Sequence, residues 1–297
     1  MSTRCGVVAV LGAPNAGKST LVNALVGQKV AIVSPKAQTT RARLMGIALE
    51  GEAQMLLVDT PGIFNPSRRL DRAMVKAAWE GADDADRVVL VIDAAAKISN
   101  KVEQVIEGVE ARSEPKILVL NKVDIAKKDD LLVLAAKLAE RLSPEQIFMI
   151  SASSGDGVAD LKAHLAAAMP DGPWHYPEDQ LTDATDRMVA AELTREQLYL
   201  QLHKELPYAA AVVTEKWEDQ PNGSAVINQQ IVVERDSQKA IVVGKGGSRL
   251  KAIGSAAREA ISEHLGRKVH LYLHVKVNPR WAEDKGLYED IGLDWSE

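Results

Sequence analysis

An α/β unit built on a mostly parallel sheet, followed by a smaller α+β unit, is the architecture this 297-residue sequence predicts. Three observations predict it. Short apolar runs alternate with amphipathic stretches through the first half, the pattern of strands and helices in a sheet covered on both faces. A proline-rich interruption near residue 170 ends that rhythm. Beyond it a long amphipathic stretch, three strand-like runs and a glycine-rich turn follow in a different order. The length allows each unit its own core.

Six runs read as strands of the first unit: GVVAVL (6–11), RLMGIALE (43–50), QMLLVD (54–59), RVVLVID (87–93), KILVLN (116–121) and IFMIS (147–151). Only GEA separates the second and third, which predicts one antiparallel hairpin in an otherwise parallel sheet. Amphipathic stretches such as NKVEQVIEGVEA and KDDLLVLAAKLAERL supply the covering helices, and VADLKAHLAAAM closes the unit near Met169. PDGPWHYPED, with three prolines in eight residues, reads as a linker. The expected boundaries are 1–170, a linker over 171–183, and a second unit over 184–297. That unit opens with a long helix, roughly Thr185 to Glu205, then strands AAAVVTEKW (209–217) and AVINQQIVVER (225–235). VVGKGGSRLKAIG reads as an apolar strand and a glycine-rich turn entering a helix that ends near Leu265, and VHLYLHVKVN as the last strand. A three-stranded sheet with helices on one face results.

Composition narrows the functional classes. No apolar run approaches the ~20 residues that span a bilayer. MSTRCGVVAVLG enters the first strand at once, so no signal peptide is expected, and Cys5 is the only cysteine, which excludes an intrachain disulfide. A cytoplasmic protein is expected. The net charge of −5 hides an asymmetry: residues 235–280 hold ten Lys and Arg against three Asp and Glu. Charge segregated in this way points to a localised polyanion site.

GAPNAGKST, residues 12–20, lies between the first strand and an apolar helix (TLVNALVG) and contains G-x-x-x-x-G-K-[ST] from Gly12 to Ser19. That pattern is a phosphate-binding loop. Gly12 and Gly17 permit a tight turn, and the backbone N–H groups of Ala13, Pro14-following Asn15, Ala16 and Thr20 can converge on an anion at a helix N-terminus. Lys18 adds a full charge for the β- and γ-phosphates, and Ser19 a hydroxyl for Mg²⁺. DTPG follows the third strand: Asp59 can hold the metal's water shell, Thr60 and Pro61 shape the turn, and the Gly62 amide can sense the γ-phosphate. Thr40, in SPKAQTTRARLMG, is the first choice for a hydroxyl that closes on the metal, with Thr39 the alternative. The metal set is thus Ser19, Thr40 and Asp59. Residues 65–75 would form a second switch.

NKVD (121–124) selects the base. Guanine presents N1–H and an exocyclic amino group side by side, and the Asp124 carboxylate can accept from both; adenine would turn a lone pair toward it. Asn121 can tie the base loop to the phosphate loop, the Lys122 stem can lie on the ring, and Ser151-Ala152 can offer a backbone N–H to guanine O6. In the second unit, G-x-x-G over Gly244, Lys245, Gly246 and Gly247, with Arg249 and Lys251 on the next helix, lets a nucleic-acid backbone approach closely.

The stretch GQKVAIVSPKAQTTRARLMGI, the DTPG step, NKVD, SAS, the helix with ELTREQL and ELPY, and the glycine-loop segment together resemble the Era family of bacterial GTPases nearly end to end. The resemblance implies a Ras-like GTPase domain joined to a type II KH domain. It implies GTP and GDP as ligands, and binding near the 3′ end of small-subunit ribosomal RNA during assembly of the 30S subunit. It further implies a monomer and, as a family trait, peripheral membrane contact that no amphipathic basic helix here compels. Rival readings are a P-loop ATPase, opposed by NKVD, an RNA-binding module with a structural nucleotide, and a tRNA-modifying GTPase, opposed by the absence of a C-terminal cysteine motif. Ile63 stands where Ras-like proteins place a water-orienting glutamine, so slow intrinsic hydrolysis is expected. Lys18, Thr40, Asn15 and Gly62 are the candidate catalytic set, with Arg41 and Arg43 as unproven arginine fingers. Asn15 either helps hold a K⁺ ion against the phosphates, as in related GTPases with the P-N-x-G-K-[ST] pattern, or ties down the switch loop.

Overall fold

The structure is a computed structural model that describes residues 3–36, 39–64, 66, 69–202, 206–293 and 295. It divides into two compact units, one of residues 1–31 and 40–183, the other of residues 32–39 and 184–297.

The first unit runs β1 (Arg4–Leu11), α1 (Lys18–Val26), β2 (Leu44–Glu50), β3 (Ala53–Asp59), α2 (Arg69–Asp83), β4 (Arg87–Asp93), α3 (Asn100–Glu110), β5 (Lys116–Asn121), α4 (Lys128–Leu142), β6 (Gln146–Ile150) and α5 (Val158–Ala168). The six strands lie in the order β2-β3-β1-β4-β5-β6. Only the β2–β3 pair is antiparallel, as the two-residue Gly51–Glu52 turn requires. Successive side chains of each buried strand enter opposite layers. Val8 and Val10 pack with Leu21, Val22 and Leu25 of α1 and Leu161 and Leu165 of α5. Ala9 and Leu11 pack on the other face with Val105, Ile106 and Val109 of α3 and Leu138 of α4. Because β3 and β4 flank β1, the chain winds outward in both directions from the first strand, and a crevice opens at the strand ends there.

The proline-rich stretch lies against this unit. Pro170 O accepts from Cys5 N–H at 3.0 Å, Trp174 Nε1 donates to Glu52 O at 3.0 Å, and Gln54 Oε1 accepts from the amides of His175 and Tyr176 at 2.9 and 3.1 Å. Its prolines cannot join a helix or a central ladder, but an extended strap beside the sheet suits them.

The second unit contains α6 (Asp186–Gln201), β7 (Ala210–Asp219), β8 (Ala225–Val233), α7 (Asp236–Val243), α8 (Ser248–Leu265), β9 (Val269–Val277) and α9 (Lys285–Asp290). The sheet order is β7-β8-β9, with β7–β8 antiparallel and β8–β9 parallel. Leu198 of α6 and Ile253 of α8 pack on Val212, Ile231 and Val233. Thr185 caps α6, its hydroxyl accepting from Met188 N–H at 3.3 Å. The expected helix to Glu205 stops at Gln201; residues 203–205 lie outside the described residues. Residues 32–39 belong to this unit. Val33 N–H donates to Glu196 Oε1 at 2.9 Å, Arg195 Nη2 donates to Thr39 O, and Lys36 Nζ donates to the carbonyls of Tyr199 and, at 2.8 Å, Leu202. Lys36 thereby satisfies carbonyls at the C-terminal end of α6.

One sequence expectation is corrected. The apolar run ahead of the G-x-x-G turn is helix α7, not a strand. Gln238 Oε1 accepts from the amides of Glu234 and Arg235 at 2.8 and 3.0 Å and starts the helix. Within it Val242 is buried and Ile241 exposed. A short apolar run of this kind is ambiguous by periodicity alone.

Candidate functional site

The phosphate-loop residues Gly12 to Thr20 connect β1 to α1. Gly17, at the N-cap of α1, has φ 96° and provides no side-chain cap, so the first-turn N–H groups of the helix are left for an outside anion. Lys18 is buried, its Nζ donating to the carbonyls of Gly12 and Ala13 at 3.2 Å each. Burial pulls its pKa down to about 8, against the opposing attraction of Asp59. Ser19 Oγ donates to Asp59 Oδ2 at 2.7 Å and lies 2.8 Å from Thr40 Oγ1, which itself donates to Asp59 Oδ2 at 3.2 Å. Thr39 Oγ1 instead donates to Lys36 O at 2.9 Å. Of the two threonines, Thr40 is the one brought to Ser19 and Asp59.

Asp59 is fully buried, and its Oδ1 has no hydrogen-bond partner. Burial raises its pKa, while Lys18, Ser19 and Thr40 act to lower it. An orphaned carboxylate oxygen beside two hydroxyls is a hard-oxygen set that fits Mg²⁺, which completes its shell with phosphate and water. Among the described residues no cluster of three His, Cys, Asp or Glu offers a rival metal site. Thr60 Oγ1 donates to Val10 O at 2.8 Å, which anchors DTPG to the end of β1. Pro61 is buried beside it, and Gly62 abuts Pro14 so closely that a Cβ would stand 2.8 Å from its backbone. Of the expected second switch, Asn65, Ser67 and Arg68 lie outside the described residues; α2 begins at Arg69.

The base loop is tied to the same crevice. Asn121 Nδ2 donates to Ala16 O at 2.9 Å, while its Oδ1 accepts from the amides of Lys122 (2.8 Å) and Ala152 (3.0 Å). Ser151 N–H donates to Asp156 O at 3.0 Å, so the Ser151-Ala152 turn serves first to hold Asn121. Lys122 Nζ donates to Asn15 O at 2.8 Å. Asp124 is exposed at the mouth of the loop, open to a ligand base.

A family model described as 50S ribosome-binding GTPase matches residues 7–122, and one described as KH domain matches residues 205–282. The chain is 61% identical over 297 residues to GTPase Era of Erythrobacter litoralis, covering 99% of this chain and 98% of that protein. The chain belongs to the Era GTPase family. Two solved Era structures, each 36% identical, match it with a TM-score of 0.92 over 98% of this chain and 99% of theirs. One is a complex with MgGDPNP and nucleotides 1506-1542 of 16S ribosomal RNA; the other, a variant from Aquifex aeolicus, is bound to GDP·AlF4⁻. The chain is accordingly a P-loop GTPase domain followed by a KH domain.

In this Era GTPase the G-x-x-G residues stand between α7 and α8, with φ 72°, 58° and 79° at Gly244, Gly246 and Gly247. Lys245 and Lys251 are exposed, and Arg249 Nη1 donates to Ile241 O at 3.1 Å. A groove of about 480 Å³ continues from Gly247 between α8 and β9. It adds Leu250, Gly254, Ser255, Arg258 and Tyr272 to the residues found by sequence reasoning. The signal was present: from Gly247 through Lys251, Gly254 and Arg258 the spacing is that of one helix face. Ile63, the residue after DTPG, is buried in the core with Ala9 and Leu11, and donates its N–H to Gly12 O at 3.3 Å. It packs the loop and is turned away from chemistry. Arg41 is buried and Arg43 exposed.

Proposed function

We propose that this Era GTPase hydrolyses GTP to GDP and phosphate as a switch on its KH domain, which holds single-stranded RNA near the 3′ end of 16S ribosomal RNA during 30S assembly. The observation that supports the reading best is the pairing, in one chain, of the Ser19–Thr40–Asp59 cluster with an open basic groove beside Gly247. The solved Era complex holds both MgGDPNP and nucleotides 1506-1542 of 16S ribosomal RNA. The functional boundaries proposed are 1–170 for the GTPase, 171–183 for the connector and 184–297 for the RNA-binding part, in a cytoplasmic monomer.

Residue roles follow from the chemistry. The amides of Gly12 to Thr20 and Lys18 would take the phosphates; Asn121, Lys122, Asp124 and the Ser151-Ala152 turn would take guanine. Ser19, Thr40 and Asp59 would hold Mg²⁺, which neutralises charge on the β- and γ-oxygens. Hydrolysis needs water in line with the γ-phosphorus, and Gly62 N–H and Thr40 are the groups proposed to meet the γ-phosphate there. With Ile63 in the core, no side chain at that position orients the water, and a slow basal rate results. Asn15, exposed at φ 66°, is the residue proposed to help hold K⁺ against the phosphates.

The test is GTP turnover by the full chain, with and without an RNA carrying the 16S 3′ end, and RNA affinity in the presence of GDP or a non-hydrolysable GTP analogue. Nucleotide-independent RNA affinity would reject the switch. For potassium, single-turnover rates should be faster in K⁺ than in Na⁺ at equal ionic strength, and Asn15→Ala should remove the difference. Equal wild-type rates would assign the missing charge to the RNA or a ribosomal partner.

A further inference from the structure

Asp93 ends β4, opposite Asn121 at the end of β5, and the two strand ends are joined by Ala94 N–H donating to Asn121 O at 2.9 Å. Its carboxylate is divided between two tasks. Oδ1 accepts from Ala95 N–H at 3.0 Å and closes the turn after the strand. Oδ2 accepts from Lys122 Nζ at 2.6 Å. The same ammonium donates to Asn15 O at 2.8 Å. Lys122 therefore spans from the base loop to the phosphate loop, and the Asp93 carboxylate is its counter-charge.

Backbone geometry shows why such a tie matters. Lys122 and Asn15 both have φ 66°, in the left-handed region that is strained for a non-glycine residue. Each is held there at the two ends of one hydrogen bond. The Lys122–Asp93 pair is mostly buried, with side-chain exposures of 31% and 24%, so it is shielded from the screening that weakens surface pairs. Without the carboxylate, the ammonium would regain more from water than from one carbonyl, and would release Asn15.

We propose that Asp93 is a positioning residue of the nucleotide site: by holding Lys122 against the Asn15 carbonyl it locks the base loop to the phosphate loop and slows the release of bound guanine nucleotide. The proposal rests on the guanine-nucleotide reading of the site. Asp93 touches neither base nor phosphate in it; it acts through Lys122. Asn121 makes an independent tie to Ala16, so the effect is a change of rate and not loss of the site.

Release of a fluorescent GDP from the full chain, chased with unlabelled GDP in Mg²⁺ buffer, tests the proposal. Asp93→Asn keeps an oxygen for Ala95 N–H and removes the charge. It should release nucleotide about tenfold faster with an unchanged melting temperature, the scale of one broken charge-assisted tie. Lys122→Met keeps an apolar stem for the base and removes the ammonium, so it should release nucleotide at least as fast. Adding Asp93→Asn to Lys122→Met should change nothing further, because the two residues act as one unit. Wild-type release by Asp93→Asn, or additive effects in the double variant, would overturn the proposal. Failure of the wild-type protein to hold the labelled GDP at all would overturn the site reading beneath it.

Discussion

At Gly17 in the phosphate loop, an added Cβ would lie 2.2 Å from Asn121 Nδ2; at Gly247 in the G-x-x-G loop, it would meet nothing within 4 Å. Both residues have positive φ, 96° and 79°, so at both the backbone favours glycine. The difference lies in who uses the space. Around Gly17 the protein has already filled it, with Asn121 bonded across the loop to Ala16. Around Gly247 the space opens onto a groove lined by Leu250, Lys251, Arg258 and Tyr272. The nucleotide loop is preorganised by its own protein, whereas the groove is a surface that its ligand must complete. Rigid enclosure suits phosphate chemistry, and an open groove suits splayed single-stranded bases.

The sharpest way to break this comparison is to add one methyl group to each loop. Gly17→Ala should lower nucleotide affinity by more than about 100-fold and reduce the melting temperature, since positive φ and a clash with a buried, bonded side chain act together. Gly247→Ala should cost only the backbone strain, on the order of 1 kcal/mol. Equal losses of stability in calorimetry would show that the two loops are not different in kind.

Next in size, Asp124→Asn should shift base preference from guanine to xanthine by about 100-fold in competition titrations, because xanthine carries a C2 carbonyl that accepts from an amide. Retained guanine preference would remove Asp124 from the base pocket. Gly247→Asp, a negative charge in the open loop, should weaken RNA binding by at least about tenfold and leave GDP affinity unchanged. RNA affinity should also fall as salt rises, through Lys245, Arg249 and Lys251. RNA affinity equal to wild type in filter binding would move the RNA site elsewhere.

The smallest expected effect sharpens the enclosed side of the comparison. Phosphate is held by the protonated form of Lys18, whose pKa burial has lowered to about 8. As pH rises through 8, free protein loses that proton and binding must supply it again, so nucleotide affinity should fall by about fivefold from pH 8 to 9. Calorimetry in buffers of different ionisation enthalpy would detect proton uptake on binding in that range. Flat affinity to pH 9 would mean that the lysine stays charged in the closed loop.

Much of the nucleotide site could be located from residue order because each of its parts is local. A phosphate loop, a DTPG turn and an NKVD turn each need a particular backbone path over four to eight residues, and that path demands recognisable residues. Their succession at strand ends then implied the sheet, and the short GEA link between the second and third apolar runs implied its one antiparallel pair. The G-x-x-G turn was legible in the same way, but the helix before it was not, since Val242 and Ile241 look alike until one is buried.

Other features depend on partners far away in the chain. Ile63 reads as a lost catalytic residue, yet the core around Ala9 and Leu11 gives it a packing role. Thr39 and Thr40 are neighbours of the same chemistry, and only the folded backbone turns the Thr40 hydroxyl to Ser19 while Thr39 bonds Lys36 O. The tie from Asp93 through Lys122 to Asn15 joins the end of β4 to the loops that follow β5 and β1, which only sheet order brings together. Residue order specified the short turns, because steric limits on φ and ψ act between neighbours. Tertiary structure decided which ammonium met which carboxylate and which apolar residue faced the core, because those choices follow from burial and pairing across the fold.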